Sequence, residues 1–168
     1  MKLRHLLLLP VLAATVGCIT HNATYKVSVE NRLDRPVTLW MVKDDGPEQV
    51  GWLSPEDVAE SAPASDDQLP DVVVNPSETA KLGPRTGSFY GSNPRASLRI
   101  YGGTPTLTRM LATGRGGLTR YDQVLEPGTN YVVIEEKANG GIGSKRSNKP
   151  LPPAPLPPPP TPPAPPQP

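Results

Sequence analysis

Proline sets the limits of what this chain can fold into. There are 24 prolines in 168 residues, and 13 of them fall between Pro150 and Pro168, in a stretch that carries no charged side chain. A segment so poor in backbone donors can form neither a sheet nor a packed core. It is expected to extend as a polyproline II rod, whose 19 residues reach about 60 Å at ~3.1 Å each. Folding is confined to what precedes it. Composition divides that part into an apolar leader (1–17), a short arm (18–23), one domain-sized segment (24–137) and a Gly/Ser/Lys linker (138–149).

The domain-sized segment is patterned as β structure. Thr24-Tyr25-Lys26-Val27-Ser28-Val29-Glu30 alternates, which puts Tyr25, Val27 and Val29 on one face and Lys26, Ser28 and Glu30 on the other. Asn31 to Pro36 has turn chemistry. Further strands are expected at Val37 to Lys43, Asp71 to Val74, Ser77 to Leu82, Arg95 to Tyr101, Thr106 to Ala112, Thr119 to Leu125 and Thr129 to Glu136, with Gly and Pro between them. Seven or eight short strands predict an all-β fold, a single antiparallel β-sandwich. The stretches Val29-Glu30-Asn31 with Pro36-Val37-Thr38-Leu39, Asn75-Pro76-Ser77-Glu78-Thr79, and Leu125-Glu126-Pro127-Gly128-Thr129-Asn130-Tyr131-Val132-Val133 resemble those of immunoglobulin-like or transthyretin-like export domains. That resemblance implies a fold and no task.

One short helix is written into the long second connection. Ser54-Pro55-Glu56-Asp57 supplies an N-cap serine, a proline at the first helical position and an acid at the third. Leu53 and Val58 are spaced to close a hydrophobic staple, and Trp52 is placed to pin the excursion onto the sandwich. The run from Lys43 to Glu60, with Gly46-Pro47 and Gly51-Trp52-Leu53-Ser54-Pro55-Glu56-Asp57, resembles domains of unknown function in planctomycete-type bacterial lipoproteins.

The amino-terminal end points the same way. Lys2, Arg4 and His5 are followed by an apolar stretch from Leu6 to about Val16 and then by Ala14-Thr15-Val16-Gly17-Cys18. A dozen helical residues cover roughly 18 Å, well short of the about 30 Å of a bilayer core. This run resembles the lipobox of a bacterial lipoprotein, with threonine where leucine is commoner. The resemblance implies cleavage before Cys18, a diacylglycerol thioether on its sulfur and an acylated new amino terminus. Two or more acyl chains hold a protein durably at a membrane, at about 0.8 kcal/mol per buried methylene. Ile19 is not the aspartate of an inner-membrane retention signal, so the outer membrane is favoured where there are two. Cys18 is the only cysteine, which leaves the mature chain no disulfide, metal thiolate or thiol nucleophile.

Charge falls in blocks. Without residues 1–17 the chain has 15 basic and 16 acidic side chains, a balance of −1 that excludes nucleic acid as a partner by net charge. From Asp44 to Asp71 every charged residue is acidic, and from Lys81 to Arg120 every one is basic. The alternation Arg95-Ala96-Ser97-Leu98-Arg99-Ile100-Tyr101 places Arg95, Arg99 and Tyr101 on one strand face. Either the acidic excursion folds over these strands and the blocks neutralise each other in weak exposed pairs, or a basic face stays open to anionic headgroups or glycan. A second candidate binding element is the loop Gly87-Ser88-Phe89-Tyr90-Gly91-Ser92-Asn93-Pro94. It offers either a stacking platform of Phe89 and Tyr90 or one ring that plugs the end of the sandwich.

Catalysis finds little support. His5 lies in the leader and His21 on the arm, so Ser-His-Asp chemistry and histidine metal sites have no histidine in the domain. Gly114-Arg115-Gly116-Gly117 and Gly140-Gly141-Ile142-Gly143-Ser144-Lys145 lack phosphate-loop spacing, and Asp44-Asp45 and Glu56-Asp57 match no EF-hand loop. No metal and no cofactor is expected beyond the lipid on Cys18. The sequence therefore predicts a membrane-anchored, non-enzymatic envelope lipoprotein with a binding or assembly role. Its partners would be the membrane, through Cys18, and an envelope protein, through the proline tail. The rival expectation is a carbohydrate or peptidoglycan-binding module using Phe89, Tyr90, Arg95, Arg99 and Tyr101.

Overall fold

The computed structural model describes residues 20–61, 72–111, 119–150 and 152. Cys18, the leader, and the tail apart from Pro150 and Pro152 lie outside the described residues. In chain order the elements are β1 (Thr20–Asn31), β2 (Val37–Lys43), a 3-10 turn (Val50–Trp52), α1 (Pro55–Ser61), β3 (Val72–Val74), β4 (Thr79–Tyr90), β5 (Ala96–Gly102), α2 (Leu107–Leu111), β6 (Arg120–Leu125), β7 (Gly128–Glu136) and β8 (Ile142–Ser147). They form two four-stranded sheets, a first in the order β4-β1-β7-β8 and a second in the order β3-β2-β5-β6. The protein is a β-sandwich.

The alternation of β1 does what its pattern predicts. Tyr25, Val27 and Val29 face the second sheet and are buried, while Lys26 is exposed and Ser28 and Glu30 are partly so. Leu39 and Met41 of β2, Leu98 and Ile100 of β5, and Val132 and Ile134 of β7 complete the core between the sheets. Strand β2 carries a further burden. Its other face presents Trp40 and Val42, which are equally buried, because Tyr101, Leu107 and Met110 with Val58 and Ala59 pack over them. A strand that is apolar on both faces needs a layer on each side. The helices supply the outer one.

Four expectations are corrected. The strand expected at Thr106 to Ala112 is helix α2. Thr106 opens it, accepting the Met110 amide at 3.0 Å through its carbonyl, and Leu107 and Met110, three residues apart, face the sheet together. The segment expected as a linker over 138–149 contains β8, an antiparallel partner of β7. A turn at Lys137 to Gly141 closes this hairpin, and an edge strand needs little apolar patterning: Ile142 alone reaches the core. Strand β1 begins at Thr20, so the described part of the expected arm is already sheet, paired with β4 from Thr20 opposite Tyr90. The sandwich is also not wholly antiparallel, since β1 and β7 run parallel from Tyr25 opposite Gly128 to Asn31 opposite Ile134. Those two strands are separated by the whole second sheet, which provides the long crossover that a parallel pair requires.

Asn31 closes β1 and organises the turn to β2. Its side-chain amide donates to the carbonyls of Arg35 and Val74, both at 2.9 Å, and its carbonyl oxygen accepts the Leu33 amide at 3.0 Å. The residue is fully buried, so losing these bonds would strand three backbone groups. Asn31→Ala is expected to destabilise the domain by about 2 kcal/mol, measured as a lower urea midpoint at unchanged slope.

Candidate functional site

The two sequence-derived candidate elements meet around the acidic excursion that connects β2 to β3. Gly87, Ser88, Phe89 and Tyr90 are the last residues of β4 and not a loop, so adjacent side chains point to opposite faces. Phe89 is fully buried and Tyr90 is 45% exposed. The Phe89 ring sits 5.7 Å from Tyr25 and 5.8 Å from Trp52, and Trp52 meets Tyr25 edge-on at 5.7 Å. This aromatic triad plugs one end of the core. A stacking platform of Phe89 with Tyr90 is not formed.

Close backbone approach lets the excursion seat there. A side chain on Gly46 would meet the Ser88 carbonyl oxygen at 2.3 Å, and one on Gly87 would meet the Trp52 indole nitrogen at 2.8 Å. In the room left by Gly87, the Trp52 indole donates to the Thr86 carbonyl at 3.0 Å. Gln49 accepts the Ser88 amide at 3.0 Å, and Lys43 donates to the carbonyls of Pro47 and Ser88 and to Gln49. Burial pushes the Lys43 ammonium below its ordinary value, against the pull of Asp45. From the second sheet, Trp40 donates its indole to the Leu53 carbonyl at 2.8 Å. The two tryptophans therefore fasten the excursion to both sheets just before α1.

The helix then begins as its sequence predicts. Ser54 caps it, its hydroxyl accepting the Asp57 amide at 3.2 Å while Asp57 accepts the Ser54 amide at 2.7 Å. This places Glu56 over β5 and β6. Its carboxylate contacts Arg99 at 2.5 Å and reaches Arg120 at 3.9 Å, and Arg120 also pairs with Asp122 at 2.8 Å. Burial pushes the Glu56 carboxyl up, but the Arg99 hydrogen bond and charge outweigh it, and the group lies below its ordinary value of 4.5. Glu56 of the excursion thus covers Arg99 and Arg120, the kind of contact that the first of the two sequence readings describes. Arg95, just before β5, is exposed and makes no ion pair among the described residues. Tyr101 is fully buried under the helices. Its hydroxyl lies beside the Arg99 charge but makes no hydrogen bond among the described residues, and burial pushes the phenol above its ordinary 10.0.

The five candidate residues consequently do not form one surface. Tyr90 and Arg95 are exposed, Arg99 is engaged by Glu56, and Phe89 and Tyr101 are interior. Among the described residues no group of three or more His, Cys, Asp or Glu is arranged to hold a metal ion. A cleft of about 430 Å3 beside α2 carries Arg35 and Arg109 with Thr104 and Thr119. It was not legible because its two arginines are far apart in sequence. Arg35 there is shared with Asp34 and Glu136 at 3.6 and 3.5 Å.

A second feature escaped sequence reasoning. On the outer face of the first sheet, Ser28, Glu30, Thr79, Tyr131 and Val133 line a groove of about 220 Å3 that also touches Pro150. Glu30 holds the Arg32 guanidinium in a two-bond fork at 2.7 and 3.0 Å, and Arg32 donates as well to the Pro152 carbonyl at 3.2 Å. The alternation of β1 marked Ser28 and Glu30 as lying on the face opposite Tyr25, Val27 and Val29, but gave no such reading for Tyr131. What lies across them depends on β8, which the composition concealed.

Comparison with known proteins returns no matching family model, no matching curated protein and no matching solved structure.

Two outcomes follow from this geometry. Phe89→Ala should cost about 3–4 kcal/mol in chemical denaturation because it opens a cavity between three rings, while Tyr90→Ala should stay within about 0.5 kcal/mol. The Glu56 contact is acid-sensitive. A carboxyl held below its ordinary value contributes stability that is present above the unfolded value and lost as pH falls through the folded one. Since Glu56 is about half exposed, the contribution is at most about 1 kcal/mol. Urea titrations at pH 7 and pH 3 should show the parent losing this increment, whereas Glu56→Gln lacks it at both. Equal acid losses in the two proteins would remove Glu56 from the account.

Proposed function

We propose that this protein is a membrane-anchored lipoprotein of the cell envelope that acts by binding, not by catalysis, with the outer membrane its favoured site. Its lipid would be carried by Cys18, and no other cofactor is invoked. The observation that supports this reading most is the start of β1. The strand begins at Thr20, so a single residue, Ile19, separates the proposed acyl anchor from a twelve-residue strand at the centre of the fold. An anchor attached there would hold the Thr20 end of the sandwich against the headgroups. Tyr90 stands in register with Thr20 and is exposed, and a tyrosine is well suited to a surface that is apolar on one side and wet on the other. No helix among the described residues is long and apolar enough to cross a membrane.

The proline tail is the proposed contact with an envelope protein, because an extended, preordered segment loses little entropy on entering an aromatic groove. A glycan-binding module is the weaker reading. It would need Phe89, Tyr90, Arg95, Arg99 and Tyr101 on one face, and the burial of Phe89 and Tyr101 weighs against that.

Metabolic labelling with an alkyne fatty acid, followed by membrane fractionation, tests the anchor. The parent protein should label and sediment with membranes, while Cys18→Ala should do neither. A Cys18→Ala protein that still sediments without label would refute lipid anchoring. Affinity purification of the full chain against a version ending at Lys149 then identifies partners that depend on the tail.

A further inference from the structure

The end of β8 and the start of the proline segment make a path that the anchoring reading does not use. Strand β8 runs antiparallel to β7 and ends with Ser147 opposite Tyr131, which itself stands beside Ser28 of β1. There the chain turns, with the Lys149 amide donating to the Ser147 hydroxyl at 3.1 Å. Pro150 then borders the groove lined by Ser28, Glu30, Tyr131 and Val133, and the Pro152 carbonyl reaches Arg32, one residue beyond the end of β1. The proline segment thus starts back across the outer face of its own sheet, away from the Thr20 end.

That face has the chemistry a polyproline segment needs. Proline offers no N–H, so such a chain is recognised through donors to its carbonyls and through apolar and aromatic surfaces for its rings. Arg32 is the donor. Glu30 fixes its guanidinium in a fork, so its aim is set before any ligand arrives. Tyr131 supplies an aromatic wall. Val133, which faces away from the sandwich core, is only 3% exposed, although it belongs to neither hydrophobic cluster.

We propose that the outer face of the first sheet around Arg32, Tyr131 and Val133 is a polyproline-docking surface, and that its occupant is this chain's own tail, residues 150–168. Docking in cis sets the affinity that any outside groove must exceed to take the tail. The surface is independent of the anchor. Its failure would leave the lipid reading untouched, and loss of a tail-dependent partner would leave the surface untouched.

The test compares the full chain, in detergent, with a version ending at Lys149, which keeps all eight strands and both hydrophobic clusters; melting curves verify that it folds. The probe is a synthetic peptide of residues 150–168, titrated while backbone amide resonances are followed by NMR. The shortened chain should bind it saturably, with shifts at Ser28, Arg32, Tyr131 and Val133. Arg32→Ala in that version should weaken binding about tenfold through loss of a charged donor. The full chain should bind at least tenfold more weakly, because its own tail competes at an effective concentration on the order of millimolar. Absence of saturable binding, shifts centred elsewhere, or equal binding by both chains would overturn the proposal. Dimers of the full chain formed by tail exchange would replace the cis occupant with a second copy and overturn it as well.

Discussion

Strand β2 is apolar on both of its faces, and the architecture around it answers that condition. Val37, Leu39 and Met41 are covered by the first sheet, as in any two-sheet core, but Trp40 and Val42 project from the opposite side and would otherwise meet water. Covering a tryptophan and a valine removes enough apolar surface to be worth several kcal/mol at about 25 cal/mol per Å2. The chain provides the cover with two short helices that would not be stable alone, since five and seven residues are too few to repay helix nucleation. They hold their shape because they are docked. Trp40 contributes to that docking twice, through its buried ring and through its indole donor to the Leu53 carbonyl.

Charge then follows packing. Placing α1 over β5 sets an acidic segment on a basic strand face, and Glu56 is drawn between Arg99 and Arg120. Individually these exposed contacts are weak. Their consequence is mainly one of access, because Glu56 and Asp122 occupy Arg99 and Arg120 while Arg95 stays exposed. Exposed surface suited to contact is found elsewhere: at the Thr20 and Tyr90 end, and on the outside of the first sheet.

Much of the fold was legible because strands betray themselves by period. Val37–Lys43 has the bounds its sequence predicts, β3, β6 and β7 differ by one residue at one end, and β5 is shifted by one residue at both. The helix cap at Ser54 and the pinning role of Trp52 were also readable, since each depends on a local pattern with one physical meaning. What could not be read were decisions made by distant residues. Thr106 to Leu111 has a composition that suits a strand, and only the exposed second face of β2 makes a helix there the better solution. Strand β8 is written in glycine, serine and charge, and it is a strand because β7 offers an unpaired edge; Ser144 then donates to Gln123 at 2.6 Å and ties that side of the sandwich together. Phe89 looked like a loop residue because the extension of β1 to Thr20, which pairs with it, lay in a segment read as an arm.

The topology gives the two specialised ends of the chain a fixed relation. Strand β1 starts at Thr20, two positions after Cys18 in sequence, β7 runs parallel to β1, and β8 returns antiparallel. Left to continue, β8 would deliver the proline segment to the same end of the sheet as the proposed lipid. The turn at Asn148 and Lys149 reverses that course, and the bond from Arg32 to the Pro152 carbonyl, with Pro150 bordering the same groove, holds the start of the reversed segment over the sheet. The Glu30 and Arg32 pair is small in energy, but it sits at the point where the direction of the tail is decided.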